Sequence, residues 1–252
     1  MIRSMTLEQI ESSGWVKLSH LPIEIEDLQH ICGLYHNYWS CDPLKPGTHH
    51  AEWSSSLHSA DFFNLADTLR ASFVLRNLLA YRMVHVLYAH QHLNAQERFT
   101  AVVGSATGST VLAEAIAAQT GARFIEMIKG EDKAQTWKEG QPPLRENDIL
   151  LHVEELTSTL ATPGRVREGV ETFHTGLPYK VNWLHRFVVG VDRRPLELLS
   201  ELPVVGTSTA VMLTQFPSQL YEPDECPMCQ AGSIAIRPRG NDGANWKLLT
   251  ST

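Results

Sequence analysis

Two adjacent carboxylates, Glu154 and Glu155, run at once into the hydroxyl-rich stretch Thr157-Ser158-Thr159-Leu160-Ala161-Thr162. Carboxylates accept hydrogen bonds from sugar hydroxyls, while hydroxyls and backbone N–H groups at a helix N-terminus receive a phosphate. One loop can thus hold both ends of a ribose 5-phosphate, provided that the acidic pair ends a strand and the hydroxyls open a helix. Ile149-Leu150-Leu151-His152-Val153 is the kind of short apolar run that forms a strand buried on both faces, although periodicity alone does not separate it from a buried helix. The proline-broken segment 141–147 ahead of it favours the strand. After Pro163-Gly164, Val166, Val170 and Phe173 recur at helical spacing, so a helix is expected there.

A second strand–loop–helix unit lies upstream. Ala101-Val102-Val103 reads as a buried strand, Gly104-Ser105-Ala106-Thr107-Gly108 as a small-residue turn, and Ser109 to Gln119 as an alanine-rich helix stopped by Gly121. Amides at that helix start would face the turn. A lone glycine-rich turn answers equally to phosphate binding and to ordinary strand-to-helix geometry.

The whole chain has 252 residues, 43% of them hydrophobic, enough for one large or two small domains with a sizeable core. A net charge of −7 argues against a nucleic-acid partner. The longest apolar region, 73–89, contains Arg76, Arg82 and His85 and reads as a core helix, so no membrane partner is expected. The N-terminus shows no basic segment followed by an apolar one, which makes the cytoplasm the default location. Residues 1–50 read as a helical extension, with pieces around Thr6–Glu11 and Glu24–Trp39, and Asp67 to His90 as one long helix. Further strands are expected at Arg123–Ile128, Phe187–Val191 and Pro203–Val205, with a helix at Leu196–Leu202.

The two loops together resemble those of type I phosphoribosyltransferases. The segment from Asp148 to Val170 is similar to the family's phosphoribosyl pyrophosphate (PRPP) motif, an apolar run, two acids, a Thr/Gly-rich turn and Val-Arg-Glu, the last matched by Val166-Arg167-Glu168. Leu160 and Ala161, or Thr162 and Gly164 if the alignment runs from Val-Arg-Glu, stand at the family's turn positions. Gly104 to Ser109 with Leu112-Ala113 resembles the pyrophosphate loop. Residues 52–65 resemble the segment over the active site of orotate phosphoribosyltransferases at Ser55, Ser59, Phe62, Phe63 and Asn64, with Ser54 in place of its lysine. Lys129, Glu131 and Lys133 match the orotate enzymes' mobile loop, whereas Gly130 and Gln135 replace a basic residue and a histidine.

The resemblance implies an α/β fold, a mainly parallel twisted sheet with helices on both faces. A small hood would come from residues 52–66 and a tail at 221–252, all within one domain over 51–252. It implies transfer of ribose 5-phosphate from PRPP to a nitrogenous base, an orotate-type pyrimidine favoured, with release of pyrophosphate, Mg²⁺ as cofactor and a homodimer as the assembly. Glu154 and Glu155 would hold the ribose hydroxyls and support positive charge at the anomeric carbon, and Lys133 would stabilise the leaving group. PRPP would be held by Gly104, Ser105, Ala106, Thr107, Gly108, Lys129, Thr157, Ser158, Thr159, Thr162 and Gly164, and the base by Phe62, Phe63 and Arg193. The substituted positions leave open a non-catalytic PRPP- or nucleotide-binding member, or a structural partner without the pocket.

No protein metal site is assigned. Cys226-Pro227-Met228-Cys229 supplies half of a zinc set that Cys32 and Cys41 would have to complete, and a cysteine pair without metal is the other reading. His49 and His50 sit in a polar stretch that reads as a solvated loop.

Overall fold

The computed structural model describes residues 2–53, 55–91 and 98–250; Ser54 lies outside them. Along the chain come helices α1 (Leu7–Ser13), α2 (Trp15–Leu18) and α3 (Ile25–Leu34), strands β1 (Tyr38–Ser40), β2 (His49–Glu52), β3 (His58–Ser59) and β4 (Asp61–Phe63), then helices α4 (Leu65–Ala71) and α5 (Phe73–Gln91). The central part holds β5 (Ala101–Gly104), α6 (Thr110–Thr120), β6 (Arg123–Ile125), β7 (Met127–Lys129), β8 (Gln135–Trp137), β9 (Ile149–Thr157) and α7 (Ala161–Phe173). It is followed by β10 (Asn182–Trp183), β11 (Arg186–Asp192), β12 (Val204–Val205), β13 (Ser208–Gln215), β14 (Leu220–Tyr221), α8 (Pro227–Gln230), β15 (Ile234–Ile236) and α9 (Ala244–Thr250).

The main sheet has the order β12-β13-β11-β9-β5-β6, with β10 added to β9. Its pairs are parallel except for the short edge strand β12. Strand alternation sends Val102, Leu151 and Val153 to one face, where they pack in one core with Leu78 and Leu79 of α5 and Ile116 of α6. Ala101, Val103 and Leu150 go to the other face and meet Val166 and Val170 of α7. This is the expected α/β architecture with both sheet faces covered. From β5 the chain crosses to β6 on one side, and from β9 it crosses to β11 on the other. The crevice between the carboxyl ends of β5 and β9 is therefore the switch point where open α/β sheets bind ligands.

Several elements differ from the sequence reading. The first fifty residues are no separate helical extension: Ile2, Ile10, Leu18, Leu28 and Ile31 are buried in the main core. The helix expected to reach Trp39 stops at Leu34, and Tyr38-Trp39-Ser40 pairs antiparallel with Asp61–Phe63. The helix expected over Asp67–His90 is broken at Ser72, whose backbone is extended and whose hydroxyl caps α5 by accepting from the Leu75 amide at 2.9 Å. The strand expected over Arg123–Ile128 is split at Glu126, whose N–H donates to the Gln141 side chain. Leu196–Leu202 keeps only one 3₁₀ turn, Leu196–Leu198. Strand β13 was not foreseen, because STAVMLTQ mixes hydroxyls with apolar residues and shows no continuous run.

The segment from Lys129 to Thr136, expected as a mobile loop, is instead most of a β7–β8 hairpin docked on α7. Trp137 stacks on Phe173, 4.8 Å between centroids and 8° between planes. The close approach depends on Gly169, where a Cβ would fall 1.8 Å from the Gln135 carbonyl oxygen. Gly169→Ala is expected to lever the hairpin off α7, costing about 1–3 kcal/mol as overpacking does. A lower denaturation midpoint with faster amide exchange confined to residues 127–137 would show it.

Candidate functional site

Three loops meet at the switch point. Gly104–Ser109 leaves β5, Ser158–Leu160 leaves β9, and Arg193–Pro195 leaves β11; the last is tied to its neighbour by the Arg193 N–H donating to the Thr157 carbonyl at 2.7 Å. The parallel registers Gly104↔Val153 and Asp192↔Thr157 bring them side by side.

Strand β9 runs four residues further than the apolar run suggested, so Glu154 and Glu155 lie within it and not beyond its end. Adjacent strand residues ordinarily point to opposite faces. Here the Ser109 hydroxyl reaches both carboxylates. The strands keep one register on either side of Gly190, Val189 facing Glu154 and Val191 facing Leu156, and the approach there is close: a Cβ at residue 190 would come 2.6 Å from the Glu155 carbonyl oxygen.

Glu154 is buried and fully engaged. Its carboxylate accepts from Ser105 Oγ at 2.6 Å, from Ser109 Oγ at 2.8 Å and from His152 Nε2 at 2.8 Å. The sequence-based role on ribose hydroxyls does not fit such a group. It fastens the β5 loop to β9, and two of the loop hydroxyls are spent on it. His152, not singled out in the sequence, is fully buried with its ring on Phe187. Removing the carboxylate strands buried donors. Glu154→Ala is expected to destabilise the fold by about 3 kcal/mol, and Glu154→Gln by less, in urea denaturation.

Glu155 is half-buried as a residue, and its carboxyl end is the enclosed part: the oxygens lie against Gly108, where a Cβ would meet Oε1 at 2.5 Å. Burial of its carboxyl, then the neighbouring Glu154 charge, push its pKa up to about 7. A carboxyl so poised can take or give a proton near neutrality. The folded protein holds this proton more tightly than the unfolded chain. Its stabilising contribution is therefore complete below pH 4.5, the ordinary value, and is lost as pH rises through about 7. Glu155→Gln is expected to remove that part of the pH dependence. Melting curves of variant and wild type would differ by a constant below pH 4.5 and diverge in the variant's favour towards pH 7.

The Gly104–Gly108 turn is narrow. Gly104 has no room for a side chain, its Cβ position lying 2.8 Å from Ser109 Cβ, and Thr107 adopts a left-handed backbone with φ 70°. Ser105 and Ala106 are buried, and the Ala106 N–H donates to Gln135 Oε1 at 2.7 Å. The hairpin thus closes over this turn through Gln135. Lys129 and Lys133 are exposed on the hairpin and make no ion pair among the described residues.

The hydroxyl-rich loop is more open. Thr157 is buried and donates to the Thr159 carbonyl at 2.7 Å. Helix α7 begins at Ala161, two residues before Pro163, so Thr162 and Gly164 belong to its first turn and not to the preceding loop. The amides of Ser158, Thr159, Leu160 and Thr162 have no hydrogen-bond partner among the described residues, and Thr159 and Thr162 are exposed. Those four N–H groups, at a helix N-terminus beside the exposed residues Thr159 and Thr162, form a cup suited to a phosphate.

The residues expected on the base are committed to contacts within the protein. Phe63 is buried against Tyr38 and Phe216, while Phe62 packs on Trp246 of α9. Arg193 is buried, ion-paired to Asp61 and stacked over Trp53 and Phe216. It joins the hood to the sheet and offers no free cation to a base. Arg167 of Val166-Arg167-Glu168 also turns inward, 4.4 Å from the Trp183 ring, with Nε and one terminal nitrogen unpartnered. Burial lowers its pKa to about 10.

Cys32 and Cys41 do not complete a set with the tail cysteines. Cys32 lies in the main core, and Cys226 and Cys229 face His50 and His58. His50, expected to be solvated, is fully buried on β2. Among the described residues no helix is long and apolar enough to cross a membrane.

No family model and no curated protein sequence matches the chain. Solved structures do. The orotate phosphoribosyltransferase of Aeropyrum pernix is 17% identical over 66% of this chain and 85% of that one, with a TM-score of 0.48. The UMP synthase of Leishmania donovani is 15% identical over 89% of this chain and 42% of that one, TM-score 0.48. The adenine phosphoribosyltransferase of Saccharomyces cerevisiae is 15% identical over 61% and 86%, TM-score 0.41.

Proposed function

We propose that this chain binds a ribose 5-phosphate group at the switch point, with the phosphate in the Ser158–Thr162 cup, and that the ligand is PRPP used as donor to a nitrogenous base. The observation that carries this reading is the row of unengaged amides at Ser158, Thr159, Leu160 and Thr162, directly beyond the acidic pair on β9 and beside the Gly104–Gly108 turn. An anion there gains from aligned N–H dipoles and from the helix end.

The roles divide differently from those the motif implies. Glu154 positions the β5 loop. Glu155, half-buried beside Gly108, faces the sugar and is the group able to exchange a proton near neutral pH. Mg²⁺ prefers hard oxygen ligands and the phosphates of its substrate, so PRPP itself would supply most of its ligands and the Glu155 carboxylate would be the oxygen donor on this chain. When bound, the ion would neutralise charge on the departing pyrophosphate. Lys129 and Lys133, exposed and in no ion pair among the described residues, are cations available on the hairpin for the same purpose. With Arg193 committed to Asp61, the acceptor need not be an acidic pyrimidine.

A second reading, ligand binding without transfer, is favoured by one observation. The Gln135 oxygen sits on the Ala106 amide where a pyrophosphate oxygen would be received, and Ser105 and Ser109 are spent on Glu154. Transfer then requires the hairpin to withdraw; binding of the 5-phosphate alone does not.

Calorimetric titration with PRPP and Mg²⁺ separates these readings. Wild type is expected to bind. Thr162→Asp places a like charge in the cup at an exposed first-turn position where acids favour the helix, so binding should fall at least tenfold with the melting temperature kept. Gln135→Ala should tighten PRPP but leave ribose 5-phosphate unchanged. Binding without pyrophosphate release in the presence of any nucleobase would select the non-catalytic reading, and equal affinity in Thr162→Asp would remove the cup.

A further inference from the structure

Away from the switch point, the hood forms a sheet in the order β14-β3-β2-β15. Strands β2 and β3 are antiparallel, with Glu52 opposite His58. Strand β15, from the tail, lies parallel to β2 with Ala235 opposite His50. The β15–β2 pairing thus joins residues 185 positions apart, and the CxxC turn of α8 sits at the junction, His50 and Cys226 being 176 positions apart. Four side chains converge there. His50 Nε2 is 3.2 Å from His58 Nδ1, Cys226 Sγ and Cys229 Sγ are each 3.6 Å from His50 Nε2, and Cys229 Sγ is 3.3 Å from His58 Nδ1. All four ligand atoms lie within 4.8 Å of one another.

We propose that His50, His58, Cys226 and Cys229 are the ligands of a structural zinc ion that locks the hood strands to the C-terminal tail. The distances have the right size. An ion with zinc–nitrogen bonds of about 2.0–2.1 Å and zinc–sulfur bonds of about 2.3 Å, arranged tetrahedrally, sets nitrogens about 3.3 Å apart and nitrogen and sulfur about 3.6 Å apart. Two imidazoles and two thiols are also the donor types that select zinc over magnesium or calcium. The outer contacts agree. His50 Nδ1 lies 3.0 Å from Ser233 Oγ, so the Nδ1–H can donate to the hydroxyl and leave the Nε2 lone pair facing the cysteines. Ser233 is itself held by its N–H donating to the Met228 carbonyl inside the CxxC turn. One side chain therefore orients a histidine ligand from the strand of one segment while anchored on the cysteine turn of the other.

The set has four protein ligands and three buried members, leaving no position for substrate, as in closed structural sites. Hydrogen bonding alone explains the cluster poorly: two thiols and two imidazoles, with four of their six separations at 3.2–3.6 Å, have few protons to share and no carboxylate to balance them. What the ion would add is a covalent-strength link between hood and tail. Tail residues Arg237 and Arg239 reach back to Glu52 and Asn64, so the same link holds the segment that borders the switch point.

The test is the metal content of the full chain, expressed with zinc, purified under reducing conditions without chelator and measured by inductively coupled plasma mass spectrometry. One zinc per chain is expected. Replacement by cobalt should give the intense visible absorption of a tetrahedral site with a thiolate charge-transfer band. Cys226→Ser and His58→Asn should lose the metal, and Cys41→Ser should keep it. If the first two variants fail to fold, Ser233→Ala, which retains all four ligands, should still bind zinc at 10–100-fold lower affinity in chelator competition. A mercurial should release one zinc per two thiols titrated. Reduced wild-type protein that carries no metal and gives no tetrahedral cobalt spectrum overturns the proposal. So does full zinc content in Cys226→Ser, or a different metal at one per chain.

Discussion

A buried carboxylate, Glu154, holds the centre of this protein together. The N-terminal half of the crevice is a glycine turn with almost no side-chain bulk to pack, and a turn of that kind keeps one shape only if something outside it supplies the contacts. Glu154 does so by accepting from Ser105 at the start of the turn and Ser109 at its end, with His152 behind it. A charge taken out of water needs such a full set of donors, because an unpaired one costs several kcal/mol. The same bonds hold the loop after β5 against β9, and so fix one wall of the crevice.

Glu155 shows what the neighbour's burial does. Its carboxyl ends under Gly108, within reach of the same Ser109 hydroxyl that serves Glu154. Enclosure of its carboxyl, and after it the neighbouring Glu154 charge, raises its proton affinity. Structural service by one acid thereby tunes the other. The opening on the far side of the acids, the amide cup of the β9 loop, is left free of both, and this separation lets one crevice hold a rigid wall and an anion-accepting wall at once.

The hairpin from Met127 to Trp137 adds the third wall. Its seating on α7 through Gly169 and the Trp137–Phe173 stack places Gln135 on the Ala106 amide. A neutral side-chain oxygen there mimics a ligand oxygen at small cost, which stabilises the closed arrangement when no anion is present.

The sequence by itself determined the alternation of strands and helices from 99 to 192. Uninterrupted apolar runs such as Ala101–Val103 and Phe187–Val189 have few alternatives, and Gly121 stops α6 in a left-handed backbone whatever surrounds it. It also marked the two loops by their residue types. It did not show β13, whose hydroxyls hide its pattern, nor the break at Ser72, which depends on a local cap. Tertiary structure alone decided the roles. Glu154 and Glu155 are neighbours in sequence and identical in type, and only the positions of Ser105, Ser109 and Gly108 make one a buried strut and the other a titratable wall. Arg193 reads as a free cation until Asp61 arrives from the hood. His50, His58, Cys226 and Cys229 show the limit most plainly: spacing within each pair carries no information about the other, because the parallel pairing of β15 with β2 joins them across most of the chain.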